Sequence, residues 1–454
     1  IDKYKARLTA GGNHQKDLNV TDTFAPTAAA STIMILLAIA ASLGYHISAI
    51  DITAAFLQEY IDRVTYIRLP KQYAEKGRDV IKLKKSLYGL RQAPRLFQQG
   101  LMRFLVGLGF AVSVHDQCLY VKKMLDGSYM YVATHVDDLL VISNSVEANN
   151  QLREDLKRKY DGVKFEEEAL TFTGKALVWE GSTLLVAQPA YTRKVVSELE
   201  RLLDFKVADM RRRLCPSGTR RSGIEHIVCE PSVAKRCVGL LQYLVPTRYD
   251  ILVDVNKMAR EMHKPTWGTT EDLKIIAVYL SGTLDSGLRF NHGGCLQIQA
   301  HVDASWLSEG ISSRTGFGVG FMNGGAMFTA YSKIQKLCAL SSQQSEIIAL
   351  SEACRSVSHF VMLLAELGLK QDTVIVHEDN QAAIAFANHH GELDRTKHIE
   401  NRDRYGRECV ERKICTVTPI PTLDNVADIF TKSLQGELFR KFRDGAMGVA
   451  PQVH

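Results

Sequence analysis

Seven carboxylates stand out by where they fall along the chain. In "ATHVDDLLVIS" (133–143), Asp137 and Asp138 sit side by side between two runs that read as buried strand. Consecutive strand residues point to opposite faces, so at most one of the pair faces a given site squarely. "DD" is also good turn chemistry, and taken alone these two acids read more plainly as a hairpin turn. Asp51 closes another apolar run, "YHISAID". Farther on, Asp303 in "AHVDASW", Glu346 in "SQQSEIIAL", Asp379 in "VHEDNQAA" and Asp428 in "NVADIF" fall in or at the ends of expected strands and helices. Clustered carboxylates repel, and burying them without a cation is costly. Mg²⁺ takes hard oxygen ligands and keeps waters that a substrate phosphate can replace. Two such ions roughly 3.5–4 Å apart clamp the attacking and leaving oxygens of a phosphoryl displacement. Two groups of acids, Asp51 with Asp137 and Asp138 and then the other four, suggest two phosphodiester chemistries on one nucleic acid.

The elements that must position these acids follow from periodicity. Residues 25–44 are apolar at helical spacing, and a strand ending at Asp51 comes next. The stretch 94–110 is a helix stopped by Gly109. "DG" at 126–127 marks a hairpin whose second strand is Tyr129–His135, with the acid pair at its end. A charged helix follows Asn144, and "LTFTGKALVWEGSTLLVAQ" is a second hairpin. Residues 190–290 read as largely helical and basic, with a boundary near Phe290–Gly294. Beyond it come a strand ending near Asp303, a hairpin bent at "NGG" and a long amphipathic helix carrying Glu346 and stopped by Gly368. A strand then delivers Asp379 into a helix, and a last strand, "ICTVTPIP", precedes a helix carrying Asp428. The second half is a mixed α/β domain with one acidic cluster.

Composition bounds the class. The 454 residues are 46% hydrophobic and 23% charged, ordinary for a globular protein of about three domains. The longest uninterrupted apolar stretch falls short of a membrane span, and no membrane partner is expected. Nine cysteines without a C-x-x-C pair argue against a zinc module and read as isolated thiols in a reducing, intracellular setting. The N-terminus has neither a Met nor signal-peptide character and reads as the middle of a longer protein. Net charge is only +6, but Lys71 to Arg103 holds nine Lys/Arg against two acids, and a second basic cluster runs from Asp209 to Arg221. Either cluster alone reads as a solvated face. Both together, beside buried-looking acids, fit a polyanion held near metal ions.

The ordered set "KYKARLTAGG", "AIDITAAFLQEY", "KLKKSLYGLRQAPRLF", "HVDDLLVIS", "YLSGT", "VDASW", "SRTGFGVGF", "ALSSQQSEIIALSEA", "HEDNQAAI", "RTKHIE" and "NVADIFTKSL" resembles the Pol polyprotein of copia-type LTR retrotransposons. The resemblance covers nearly the whole chain. It implies an α/β (α+β) protein: reverse transcriptase fingers (truncated at the N-terminus) and palm over 1–190, a largely helical thumb and connection over 191–290, and a ribonuclease H-like mixed-sheet domain over 291–454. It implies RNA template, DNA primer, RNA/DNA hybrid and deoxynucleoside triphosphates as partners. Two Mg²⁺ are expected in each active site, with Mn²⁺ as a substitute, in a cytoplasmic particle or the nucleus. Asp51 and Asp137 are implied as polymerase metal ligands, with Asp138 nearer the primer end. Asp303, Glu346, Asp379 and Asp428 are implied as the ligands of the nuclease. Lys5, Arg7, Phe56, Gly89 and Gln92 are implied to hold the nucleotide, Phe56 against a ribose 2′-OH. His135 and His398 are weaker substrate contacts.

The chain departs from the family's pattern at His135, where Tyr is usual, at Glu59, where Gly is usual, and at Phe97, where Trp is usual. All seven acids are present. Two readings from different classes remain: an enzyme that copies RNA and degrades it, or a folded remnant that still binds nucleic acid. An unrelated two-metal hydrolase would explain the acids but not the order of the motifs.

Overall fold

The computed structural model describes residues 7–15, 19, 23–73, 79–166, 170–217, 228–307, 312–336, 338–388 and 404–450. Lys5 and His398 lie outside the described residues. Chain contacts divide the protein into two units, 1–33 with 45–173 and 34–44 with 174–454. Helix α1 (Ala30–Leu43) runs across the first of these divisions.

In the first unit, β1 (His46–Ile52) is followed by a small hairpin, β2 (Tyr66–Arg68) and β3 (Val80–Lys82), and by α2 (Ala93–Gly107). Next come β4 (Ala111–Val112), β5 (Leu119–Lys123), β6 (Tyr129–His135), β7 (Asp138–Ser143), α3 (Val146–Lys159), β8 (Val163–Glu166) and β9 (Thr171–Phe172). The main sheet has the order β4-β5-β6-β7-β1-β8. Its central strands are buried on both faces. Ile50, Ile52, Val132, Leu139 and Val141 face a core completed by Phe97 and Leu101 of α2 and by Leu152 and Leu156 of α3. β1 is set between β7 and β8 by antiparallel ladders.

The second unit begins with β10 (Lys175–Glu180) and β11 (Thr183–Ala187) and continues through α4 (Pro189–Leu202), α5 (Pro231–Gln242), α6 (Leu252–Glu261) and α7 (Trp267–Ser281) to β12 (Gly287–Asn291). β12 pairs with β11 and runs across position 290/291, where the sequence pattern suggests a boundary. Then come β13 (Ile298–Ser305), β14 (Arg314–Phe321), β15 (Met327–Ile334), α8 (Ser342–Glu366), β16 (Val374–Glu378), α9 (Gln381–Asn388), α10 (Tyr405–Glu411), β17 (Cys415–Pro419) and α11 (Gly436–Met447). The sheet order is β15-β14-β13-β16-β17, antiparallel on the β14 side of β13 and parallel on the β16 side. This mixed five-stranded sheet fits the mixed-sheet domain that the sequence resemblance implies.

Helices α6 and α7 are part of the same compact body. Asn256 donates to the Ser332 carbonyl at 2.8 Å, and the Tyr279 ring meets Phe439 edge-on at 5.9 Å. Arg248 and Asp250 form a wholly buried ion pair at 2.8 Å, and Tyr279 donates to the same carboxylate at 2.6 Å. α8 is long and apolar enough to cross a membrane by length and composition, but its apolar window is 67% buried inside this fold. It is the core helix of the domain.

Candidate active sites

The first unit places Asp51 on β1 directly opposite Asp138 on β7. The β6–β7 ladder ends on the pair His135 and Asp138, so Val136 and Asp137 are the two residues of a tight turn. The turn and the acid pair are thus one object. Val136 has φ +61°, a left-handed conformation that a β-branched residue adopts only under constraint. The constraint is visible: Ile52 N–H donates to the Asp137 carbonyl at 3.0 Å, tying the turn to β1. Thr53 donates to Asp51 Oδ2 at 3.2 Å.

Beside this edge, Phe56 lies in a short 3₁₀ turn (Ala55–Leu57) and meets the Tyr88 ring at 5.2 Å and Phe97 at 6.5 Å. The Arg7 guanidinium stacks over Tyr88 at 4.5 Å. Gly89 has φ +87°, and a Cβ there would stand 2.1 Å from the Ala10 carbonyl oxygen, so only glycine lets the two segments touch. Gln92 is fully buried. Its Oε1 accepts from Gln15 at 3.0 Å, while its Nε2 has no partner among the described residues. Arg7 and Phe56 therefore meet on the Tyr88 ring, Gly89 follows that residue against Ala10, and Gln92 is tied to Gln15.

Glu59, one of the departures, is accommodated. A Cβ at Gly100 would lie 2.1 Å from a Glu59 carboxylate oxygen, so the acid occupies space that α2 leaves open. The Tyr160 hydroxyl donates to it at 3.4 Å, and Arg103 stands 3.9 Å away.

In the second unit, β13 carries Asp303 and α8 carries Glu346 one turn from its start, where the Ser341 hydroxyl caps the helix. Asp379 comes directly after the last residue of β16. Ligand oxygens of Asp303, Glu346 and Asp379 lie within 4.8 Å of one another. The parallel register, His301 beside His377, brings the ends of β13 and β16 level. Those two histidines stack at 4.5 Å two residues upstream of the acids, and burial holds the His301 ring down at about 3.

Asp428 sits differently from the expectation of an α-helix. It lies in a five-residue 3₁₀ segment, Val426–Phe430. The physical reason is anchoring: Asn425 donates to the Val302 carbonyl at 2.8 Å and accepts from Ala427 N–H, pinning the segment to β13. It lies flat on β14, because a Cβ at Gly316 would stand 2.6–3.0 Å from Thr431 and Phe430. Lys432 then reaches back, 2.6 Å from Asp428 Oδ1 and 3.5 Å from Asp303 Oδ2, and Thr431 donates to Asp303.

Electrostatics follow from burial. Asp303 is 2% exposed; burial, with Asp428 and Asp379 nearby, pushes its carboxyl up to about 7 against the pull of Lys432. Glu346 is held far above the usual carboxylate range by burial first and by the charge of Glu378 second. Its Oε2 has no hydrogen-bond partner among the described residues. Sequence reasoning missed Glu378 and Lys432. The strand pattern assigned "HED" to a strand end with one functional acid, and nothing local marks a lysine four residues after Asp428.

The reverse transcriptase (RNA-dependent DNA polymerase) family matches residues 1–208. The retrovirus-related Pol polyprotein from transposon RE1 of Arabidopsis thaliana is 30% identical over 97% of this chain and 30% of its own length. That from RE2 of the same plant is 29% identical, over 99% and 31%, and that from TNT 1-94 of Nicotiana tabacum is 29% identical, over 95% and 33%. The chain spans about a third of the length of these curated relatives. Among solved structures, LC11-RNase H1 from compost covers 30% of this chain and 93% of its own, with 16% identity and a TM-score of 0.25. RNase H1 from Halobacterium salinarum NRC-1 covers 30% and 94%, with 17% identity and a TM-score of 0.22.

Proposed function

We propose that the chain is the reverse transcriptase and ribonuclease H region of a copia-type retrotransposon Pol polyprotein, and that it copies RNA into DNA and cleaves the RNA strand of the hybrid. One observation carries the reading: three carboxylates from three separate elements converge within 4.8 Å. Their chemistry suits a hard divalent cation, since all the donors are carboxylate oxygens and Glu346 Oε2 has no partner among the described residues. A pair of bound Mg²⁺ or Mn²⁺ ions would supply charge for the scissile phosphate and an activated water.

Asp303, Glu346, Asp379 and Asp428 hold the ions in this reading. Lys432 stands by Asp303 and Asp428 as the chain's own cation. In the palm, Asp51 and Asp137 are the ligands and Asp138 lies nearer the primer end. Phe56 closes the pocket against a 2′-OH, the group that tells RNA from DNA. Arg7, Gly89 and Gln92 shape the place of the incoming deoxynucleoside triphosphate. The test is extension of a labelled DNA primer on an RNA template with Mg²⁺. Extension supports the polymerase. Hybrid binding without any extension favours the non-catalytic remnant instead.

A further inference from the structure

Glu378 is the last residue of β16 and stands directly before Asp379. It is 0% exposed. Its Oε1 accepts the Asn380 amide N–H at 2.9 Å, while its Oε2 is buried with no hydrogen-bond partner among the described residues. A buried carboxylate oxygen left unpaired is strongly unfavourable, so a core role alone would be better served by Val or Ile at this strand position. The parallel register ends on the pair His301 and His377, Glu378 follows one step beyond it, and α8 packs across β13 and β16 with Glu346 on its buried side. Glu346 Oε2 is the other carboxylate oxygen of this cluster that is buried without a partner among the described residues. Glu378 is therefore a fifth buried acid beside the four, near enough for its charge to raise the Glu346 carboxyl, and among the described residues Lys432 is the ammonium paired into the cluster, on the side of Asp428 and Asp303.

We infer that Glu378 is a fifth carboxylate of this cation site, a positioning residue that strengthens divalent-ion binding from behind Glu346. It stands outside the group of three oxygens that converge, so it acts through its neighbour and not as a direct ligand. The inference rests on the nuclease reading of the cluster and adds to it a residue that the four expected acids do not include.

The test is Mn²⁺ binding to the full chain, followed by electron paramagnetic resonance of the free ion. All proteins carry Asp51→Asn and Asp137→Asn so that the palm acids do not contribute. Glu378→Gln keeps the volume and the acceptor for Asn380. It should weaken Mn²⁺ affinity by about 10–100-fold, the range of partners that act behind a ligand, without lowering the melting temperature of the metal-free protein. Glu378→Val, which supplies the residue a core strand prefers, should melt higher than wild type in EDTA and show the same loss of affinity. Affinity within twofold of wild type in either folded variant overturns the role of Glu378. If Asp303→Asn also binds Mn²⁺ as wild type does, the nuclease reading of the cluster falls with it. Loss in Asp303→Asn but not in the Glu378 variants removes only the inference.

Discussion

The ammonium of Lys432 lies 2.6 Å from Asp428 Oδ1, and 3.5 Å from Asp303 Oδ2 it completes a bridge between a 3₁₀ segment and a strand. This lysine neutralises part of the acid cluster before any metal arrives. Lys432→Met should lower the melting temperature in EDTA by an amount worth about 1 kcal/mol, a modest figure because the side chain is 40% exposed and screened by solvent. Added Mg²⁺ should stabilise the variant more than the wild type. Equal melting in EDTA would mean the bridge contributes nothing.

Asp303 gives the cluster a pH dependence of definite sign. Its carboxyl is pushed up to about 7, chiefly by burial. A raised acid favours the protonated folded form, so its stabilising contribution is complete below the ordinary carboxylate range near about 4 and is lost as pH rises through about 7. Burial of His301 works the opposite way, its contribution fading as pH falls below the usual imidazole range. The comparison is therefore wild type against Asp303→Asn, without metal, from pH 4 to pH 8. The wild type should lose ground to the variant as pH rises, and Mg²⁺ affinity of the wild type should grow over the same window because the ion competes with protons. A flat difference would contradict the assignment.

Glu59 and Gly100 form a second pair open to a clean test. The carboxylate fills the space a Cβ would take. Gly100→Ala should destabilise by about 1–3 kcal/mol, the usual cost of overpacking. Glu59→Gly in the same chain should recover most of that loss. Additive effects in the double-mutant cycle would show that the two do not compete for one volume.

The palm turn yields two outcomes. On the proposed function, Asp137→Asn should abolish primer extension while leaving hybrid affinity within about twofold, because the change would remove a metal ligand and no phosphate contact. His135 closes the ladder opposite Asp138, directly before the strained Val136. If its smaller ring underfills the ground beneath the primer end, His135→Tyr should raise the extension rate. An unchanged rate marks His135 as an accommodated substitution.

Much of the fold is legible along the sequence where the signal is local. The apolar run after the "DG" turn gives β6 its observed bounds, Tyr129–His135, and the strand is buried on both faces, so its signal is an apolar run and not an alternation. "DG" and "NGG" mark two hairpins for an equally local reason, their turn chemistry. Sheet order is not legible. That β16 lies beside β13, and β1 between β7 and β8, depends on pairings between residues far apart in the chain. Asp428 is found from its motif but its helix is mistaken, since "VADIF" has helical spacing and only the Asn425 tie to Val302 reveals a short 3₁₀ segment. Glu378 escapes notice because its partner acids come from another strand and a helix. Tyr279 and Asn256 explain why the helices before residue 290 pack with the mixed-sheet domain: each reaches a side chain or carbonyl of it. A fragment starting at 291 would cut β12, so the full chain is the proper subject of assays.

On the proposed function, Asp303, Glu346, Asp379 and Asp428 form a metal-dependent nuclease site. Its most direct test is cleavage of an RNA strand, labelled at its 5′ end and annealed to DNA, by the full chain with Mg²⁺ or Mn²⁺, in wild type and in Asp303→Asn and Asp428→Asn. The account predicts cleavage of the RNA strand alone by the wild type, none in EDTA, and a loss of at least about a hundredfold in each variant, roughly 2.7 kcal/mol of transition-state stabilisation. Cleavage that survives Asp303→Asn, or that proceeds without a divalent ion, would contradict it.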